Sequence, residues 1–175
     1  MTTPKQRLKI PQCLSNSCSK MPCEIGYKGE VDIDGKKEGF GTNTYMDGGR
    51  YVGAWKNDVR EGKGTMFHAS GDRYEGAWVN DTMHGTGVMY YANGDREEGE
   101  WKDGKGHGRW THYGANGGRV EGEWKDGKQH GRWTQYYANG DRMEWKMKNG
   151  EKDGDSSYYH ADGDRKNGRS MCVCS

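Results

Sequence analysis

The stretch that decides the fold reads Tyr51-Val52-Gly53-Ala54-Trp55, then Asn57-Asp58, then Gly62-Lys63-Gly64-Thr65-Met66-Phe67, closing with Gly71-Asp72-Arg73. Tyr51, Gly53 and Trp55 alternate with Val52, Ala54 and Lys56, the period of a strand with one buried face. Asn57-Asp58 is turn chemistry, and the segment from Gly62 reads as a returning strand. A helix is disfavoured, because each interior glycine would cost about 1 kcal/mol. The stretch is therefore a β-hairpin, and it recurs. Trp55, Trp78, Trp101 and Trp124 are 23 residues apart, each preceded by two positions by Gly53, Gly76, Gly99 or Gly122. Gly62, Gly85, Gly108 and Gly131 follow seven positions later. Arg50, Arg73, Arg96, Arg119, Arg142 and Arg165 close six consecutive units. A fixed period of this length marks an array of stacked units, and a lone hairpin cannot bury its own face.

The boundaries follow from the period. Residues 1–26 hold all three prolines and three of the five cysteines and read as a basic, flexible arm. The repeats run over 27–165 as units 27–50, 51–73, 74–96, 97–119, 120–142 and 143–165. The sixth unit is degenerate, with Trp145 and Met147 at the Gly and Trp places, and is expected to cap the array. Residues 166–175 form a tail. The predicted class is all-β, a single-stack antiparallel β-solenoid of about six hairpin repeats.

Composition is compatible only with an unusual core. Leu, Ile, Val and Phe total 14 of 175 residues, well under the roughly 20% that ordinarily marks disorder. Eleven Tyr, seven Trp and 30 periodic Gly oppose that reading. A few regularly stacked rings carry enough area to make a core. The chain has net charge +1, with +3 on residues 1–26 and +2 on 166–175, so the repeats are left with −4. A weakly acidic body is not a nucleic-acid footprint. No apolar run approaches the 18 or so residues of a membrane span, and no secretory signal is evident. Five cysteines without such a signal point to a reducing, cytoplasmic setting with free thiols.

The repeated Tyr-x-Gly-x-Trp, Gly-x-Gly and Gly-Asp-Arg elements resemble the MORN (membrane occupation and recognition nexus) repeat across residues 27–165. Units four and five depart, because Trp110 and Trp133 replace the second glycine of Gly-x-Gly. Their His-Gly-Arg-Trp-Thr segments (107–111 and 130–134) are similar to a variant in bacterial and viral proteins. The resemblance implies a twisted β-solenoid that scaffolds, dimerises or associates with lipids. In relatives with enzymatic activity, a separate domain carries it. These 175 residues leave no room for such a domain, so no activity and no cofactor are expected.

Several motifs were weighed. Gly99–Lys105 and Gly122–Lys128 fit a phosphate-loop pattern by letter, but no Ser or Thr and no helix follows. His84, His107 and His130 form a column at spacing 23. Residues one unit apart are separated by about 10 Å, too far to share a metal at about 2 Å, so each is expected to bond a turn backbone. Cys13, Cys18 and Cys23 lack a nearby fourth zinc ligand, and no metal site is predicted. Glu98, Glu100, Glu121, Glu123 and Glu144 form an acidic stripe expected to face solvent. The arginine column has two readings: a surface charge ladder with Asp72, Asp95, Asp141 and Asp164, or a grip on anionic headgroups. Cys172-Val173-Cys174-Ser175 reads as a lipidation box with Cys172 as acceptor, although a cysteine at its third place is unusual; the alternative is an inert tail. The sequence thus points to a non-enzymatic scaffold for a protein partner, at a membrane surface or away from one. A direct binder of anionic phospholipids is the alternative. Homodimerisation through an exposed sheet edge is a further expectation.

Overall fold

The computed structural model describes residues 25–163 and the backbone of 165–168. The N-terminal arm before residue 25, and Cys172 with the rest of the tail, lie outside the described residues. No helix occurs among the described residues; every strand pairing is antiparallel. The all-β class and the stacked-hairpin organisation are as the sequence predicts. The chain divides into two compact units, meeting at Thr82/Met83.

The first unit is a meander of β1 (Gly26–Val31), β2 (Lys37–Thr44), β3 (Arg50–Lys56), β4 (Val59–Phe67) and β5 (Arg73–Val79). The β3–β4 turn places Asn57 and Asp58 at φ 49° and 70°. Two left-handed residues in a row make the turn whose twist suits a tight hairpin. In β4 the register slips, so that Gly53 faces Gly64 while Trp55 faces Arg60. Gly62 sits in this bulge at φ +90°, which explains why a glycine recurs there.

One face of this unit holds the core. Tyr51 and Tyr74 are fully buried and Trp55 and Trp78 nearly so. Their rings alternate edge to face: Tyr27 to Trp55 at 5.5 Å, Trp55 to Tyr51 at 5.0 Å, Tyr51 to Trp78 at 5.5 Å and Trp78 to Tyr74 at 5.3 Å. The phenol ends of Tyr51 and Tyr74 fill the space beside glycine backbone. A methyl added at Gly53 would meet the Tyr51 hydroxyl at 2.5 Å, and one at Gly64 at 2.1 Å. Only glycine leaves the slot open. Burial pushes the phenols of Tyr51 and Tyr74 up to about 12.

The second unit contains β6 (Thr82–Tyr90), β7 (Arg96–Lys102), β8 (Lys105–Tyr113), β9 (Arg119–Lys125), β10 (Lys128–Tyr136), β11 (Arg142–Lys148), the two-residue β12 (Glu151–Lys152), β13 (Ser156–Tyr159) and β14 (Arg165–Gly168). Its slots are filled differently. Glu97 and Val120 stand where the first unit has tyrosine. The ring comes instead from the returning strand: Trp110 faces Gly99, and the Trp133 indole fills the space beside Gly122. Methyls at those glycines would meet the indoles at 2.0 Å and 2.2 Å. Trp101, Trp110, Trp124, Trp133 and Trp145 form a ladder with centroids 4.8 to 6.3 Å apart. The Trp-for-Gly departures at 110 and 133 are therefore compensated, with a lost tyrosine replaced by an indole from the facing strand. Trp145, at the glycine place of the degenerate sixth unit, continues the ladder by stacking on Trp133.

The compensation can be tested within one repeat. Gly64→Trp alone should destabilise the protein by about 1–3 kcal/mol, because Tyr51 already occupies the slot. Adding Tyr51→Val should give back about 1 kcal/mol or more. Urea denaturation measures both; losses that simply add would contradict the exchange.

Candidate interaction surface

Strand alternation puts the remaining polar side chains in rows on the face opposite the rings. At the end of β3, β5, β7, β9 and β11 nearest the longer turns lie Arg50, Arg73, Arg96, Arg119 and Arg142. Each register-matched partner is aromatic where a ring contact is described. Arg50 stacks over Phe67 at 4.5 Å, Arg96 over Tyr113 at 4.3 Å, Arg119 over Tyr136 at 3.9 Å and Arg142 over Tyr159 at 4.2 Å. Four of them also bind the glutamate two residues ahead. Arg73 reaches Glu75 at 2.8 Å, Arg96 reaches Glu98 at 3.0 Å, Arg119 reaches Glu121 at 2.7 Å and Arg142 reaches Glu144 at 3.0 Å. The Glu121 bond holds the Arg119 guanidinium above its ordinary range. Two residues after Arg50 stands Val52, so Arg50 has no such carboxylate. Of Arg165 only the backbone, in β14, is described.

For Arg96 and Arg142 the acidic partner is the strand glutamate two residues on, Glu98 or Glu144, and not the preceding Asp95 or Asp141; Asp164 lies outside the described residues. Asp95 lies in the turn before β7, and its carboxylate is directed to the next turn. Asp95 instead accepts the Ala115 amide of the next turn at 2.8 Å, and Asp141 accepts that of Ala161 at 2.9 Å. These carboxylates link successive turns. Where the repeat has Gly118 in place of the aspartate, the link is missing. A groove of about 450 Å³ opens there, lined by Asp95, His112, Ala115, Val120, Gln135 and Ala138 among others. Of its lining groups, His112 places Nδ1 3.1 Å from Glu97, which also accepts the Tyr91 hydroxyl at 2.7 Å.

Two other expectations change. The acidic stripe is not a uniform solvated row: Glu98, Glu121 and Glu144 are the arginine partners, while Glu100 and Glu123 are exposed. The histidines do not bond turn backbones. The buried Nδ1 atoms of His107 and His130 find no hydrogen-bond partner among the described residues, and His84 Nδ1 sits 3.9 Å from the Asp103 carboxylate. Both His107 and His130 adjoin the bulge, where the ladder that would supply a carbonyl is interrupted. Among the described residues no group of three or more His, Cys, Asp or Glu could hold a metal.

The sequence reading missed the lysines at the tight-turn end. Lys102 faces Lys105 and Lys125 faces Lys128 across their hairpins, and Lys148 faces Glu151. In the first unit Lys56 faces Val59. The signal was available in the change from Val59 to Lys105 and Lys128 at matched places, together with the change from Asn57-Asp58 to Asp103-Gly104 and Asp126-Gly127.

A model of the MORN repeat matches residues 27–50, 51–73, 74–96, 98–119 and 121–142. The chain belongs to the MORN repeat family. No curated protein sequence matches it. Among solved structures, the MORN chain is similar to the TCP domain of SAS-4 (dCPAP) of Drosophila melanogaster, in complex with a proline-rich motif of Ana2 (dSTIL). Identity is 14%, coverage 92% of this chain and 99% of that one, and the TM-score 0.52. It also matches a mutant TCP10 domain of Danio rerio CPAP, at 11% identity, coverage 82% and 84%, and TM-score 0.38. The first likeness shows a shared fold. MORN repeats are commonly protein-interaction or membrane-associated modules.

The turn carboxylates make a pH prediction. The Ala115 amide and then Asn93 hold Asp95 below the ordinary carboxylate range; the Tyr158 hydroxyl and then the Ala161 amide do so for Asp141. A lowered folded-state pKa contributes stability above the unfolded value, and that contribution is lost as pH falls through the folded value. The melting temperature should drop on acidification below about pH 4. Asp95→Asn with Asp141→Asn should flatten that drop; an unchanged acid slope in the double variant would refute the assignment.

Proposed function

We infer that this chain is a non-catalytic scaffold that binds a protein partner along its exposed strand faces. The observation that carries this reading is the self-neutralised arginine column. Arg73, Arg96, Arg119 and Arg142 each hold a glutamate within 3.0 Å, so the column offers an anionic surface little uncompensated charge. What it does offer is a periodic mixed row of guanidinium, ring and carboxylate, a composition that suits protein contacts. The SAS-4 TCP domain, whose solved complex contains a proline-rich motif, supports the idea that an antiparallel sheet of this kind receives a protein segment. Cytoplasmic residence belongs to the same proposal and rests on the five cysteines. Direct recognition of anionic phospholipids is the competing reading, supported by the regularity of the column.

Sedimentation of the full chain with phosphatidylserine vesicles at near-physiological salt separates the two. The scaffold reading expects protein in the supernatant. Pelleting that disappears in Arg73→Gln/Arg96→Gln/Arg119→Gln would establish lipid recognition instead. Glutamine is the better replacement, because a glutamate at 96 or 119 would face Glu98 or Glu121 on the same strand and threaten the fold.

A further inference from the structure

A row of exposed lysines lies at the tight-turn end of the second unit's hairpins. Lys102, Lys105, Lys125, Lys128 and Lys148 are all exposed. None has an ion-pair, hydrogen-bond or ring partner among the described residues. The first unit treats its cations differently. Lys37 lies over the Trp55 ring at 4.5 Å, and its amide is bonded by Asp58 at 2.9 Å. Arg60 lies over Trp78 at 4.1 Å and binds Asp81 at 2.8 Å. Those aspartates occupy the second turn place, where the second unit has Gly104, Gly127 and Gly150. At 104 and 127 the exchange leaves the turn carboxylate only at the first turn place, as Asp103 and Asp126, and the same two hairpins gain a second lysine, Lys105 and Lys128.

The lysines are also placed at a fixed interval. The stem of Lys105 lies against Gly127 of the next turn, at 3.5 Å from where a methyl would stand. Lys128 lies similarly against Gly150. Successive tips are therefore stacked, and equivalent lysines recur every two strands, about 10 Å apart. One turn of a polyproline II segment, three residues that return to the same side, spans about 9.3 Å. The two repeats are commensurate.

We propose that the lysine column Lys102, Lys105, Lys125, Lys128 and Lys148 is a docking site for an extended acidic protein segment with a carboxylate at every third residue. This deepens the scaffold reading and rests on it. A linear partner fits the surroundings better than a plane does. Glu100 and Glu123 occupy the adjoining row, and Asp103 turns its carboxylate towards His84. A chain can follow the lysines and avoid those acids, whereas an anionic sheet of headgroups would be pressed against them.

The test uses the full chain and two labelled 15-residue peptides made of Glu, Pro and Ser. One carries glutamate at every third place; the other has the same composition with its glutamates contiguous. Fluorescence anisotropy at near-physiological salt should show the spaced peptide binding about tenfold or more tightly than the clustered one. Lys102→Gln/Lys105→Gln/Lys125→Gln/Lys128→Gln should weaken it at least about tenfold without shifting the melting temperature, and arginine at the same four places should restore it. Equal affinity for both peptides, or no change in the glutamine variant, would overturn the proposal. Failure of peptide binding with protein still free of phosphatidylserine vesicles removes the lysine column alone. Vesicle binding abolished by the same glutamine changes removes both the column's peptide role and the scaffold reading.

Discussion

A flat ring pressed against bare glycine backbone is the contact on which the rest of this protein depends. A sheet only one layer thick has no second layer to cover its apolar face, so the covering must come from its own side chains. With so few aliphatic residues, that task falls to Tyr and Trp lying along the strands. A ring can lie along a strand only where the neighbours lack a Cβ, and this fixes glycine at 53, 64, 76, 99 and 122. Rings of neighbouring repeats then meet at 5.5 to 6.3 Å, so that the period of the sequence becomes the period of the contacts. The rest of each hairpin is free to vary, which is why the other face carries a different set of residues in the two units.

The constraint has two solutions in one chain. Tyrosine on the first strand over a Gly-x-Gly return fills the slot from one side. A tryptophan at the second glycine, with the tyrosine gone, fills it from the other. The second solution frees the tyrosine place for Glu97 and Val120, and so allows the His112–Glu97–Tyr91 bonds, of which His112 lines the groove. A change in how the core is packed thus alters the chemistry beside it.

Much of this was legible in the sequence. The 23-residue period and the alternation around Tyr51, Gly53 and Trp55 give the strands, their turns and the ring-bearing face. The partners of the arginines were not read correctly, because nearness in sequence was taken for nearness in space. The rule that residues i and i+2 share a face would have selected Glu98 over Asp95 for Arg96. The roles of His107 and His130 depend on the bulge, and one inserted residue shifts which backbone groups remain available. The lysine tips were legible only by comparing turn chemistry between repeats, since a lysine is unremarkable until the turn aspartate moves from the second place, as Asp58 and Asp81, to the first, as Asp103 and Asp126. The grooved gap at Gly118 has the same origin, a single missing aspartate in an otherwise regular column of turns.

The central claim is that rings rest face-on over glycine α-carbons, and proton NMR of the full chain tests it directly. A proton held against the face of an aromatic ring is shielded. The account predicts that one α-proton of each of Gly53, Gly64, Gly76, Gly99 and Gly122 resonates far upfield of the ordinary glycine range, while Gly35 and Gly154, which have open space where a methyl would stand, do not. Ordinary shifts at all five would contradict it.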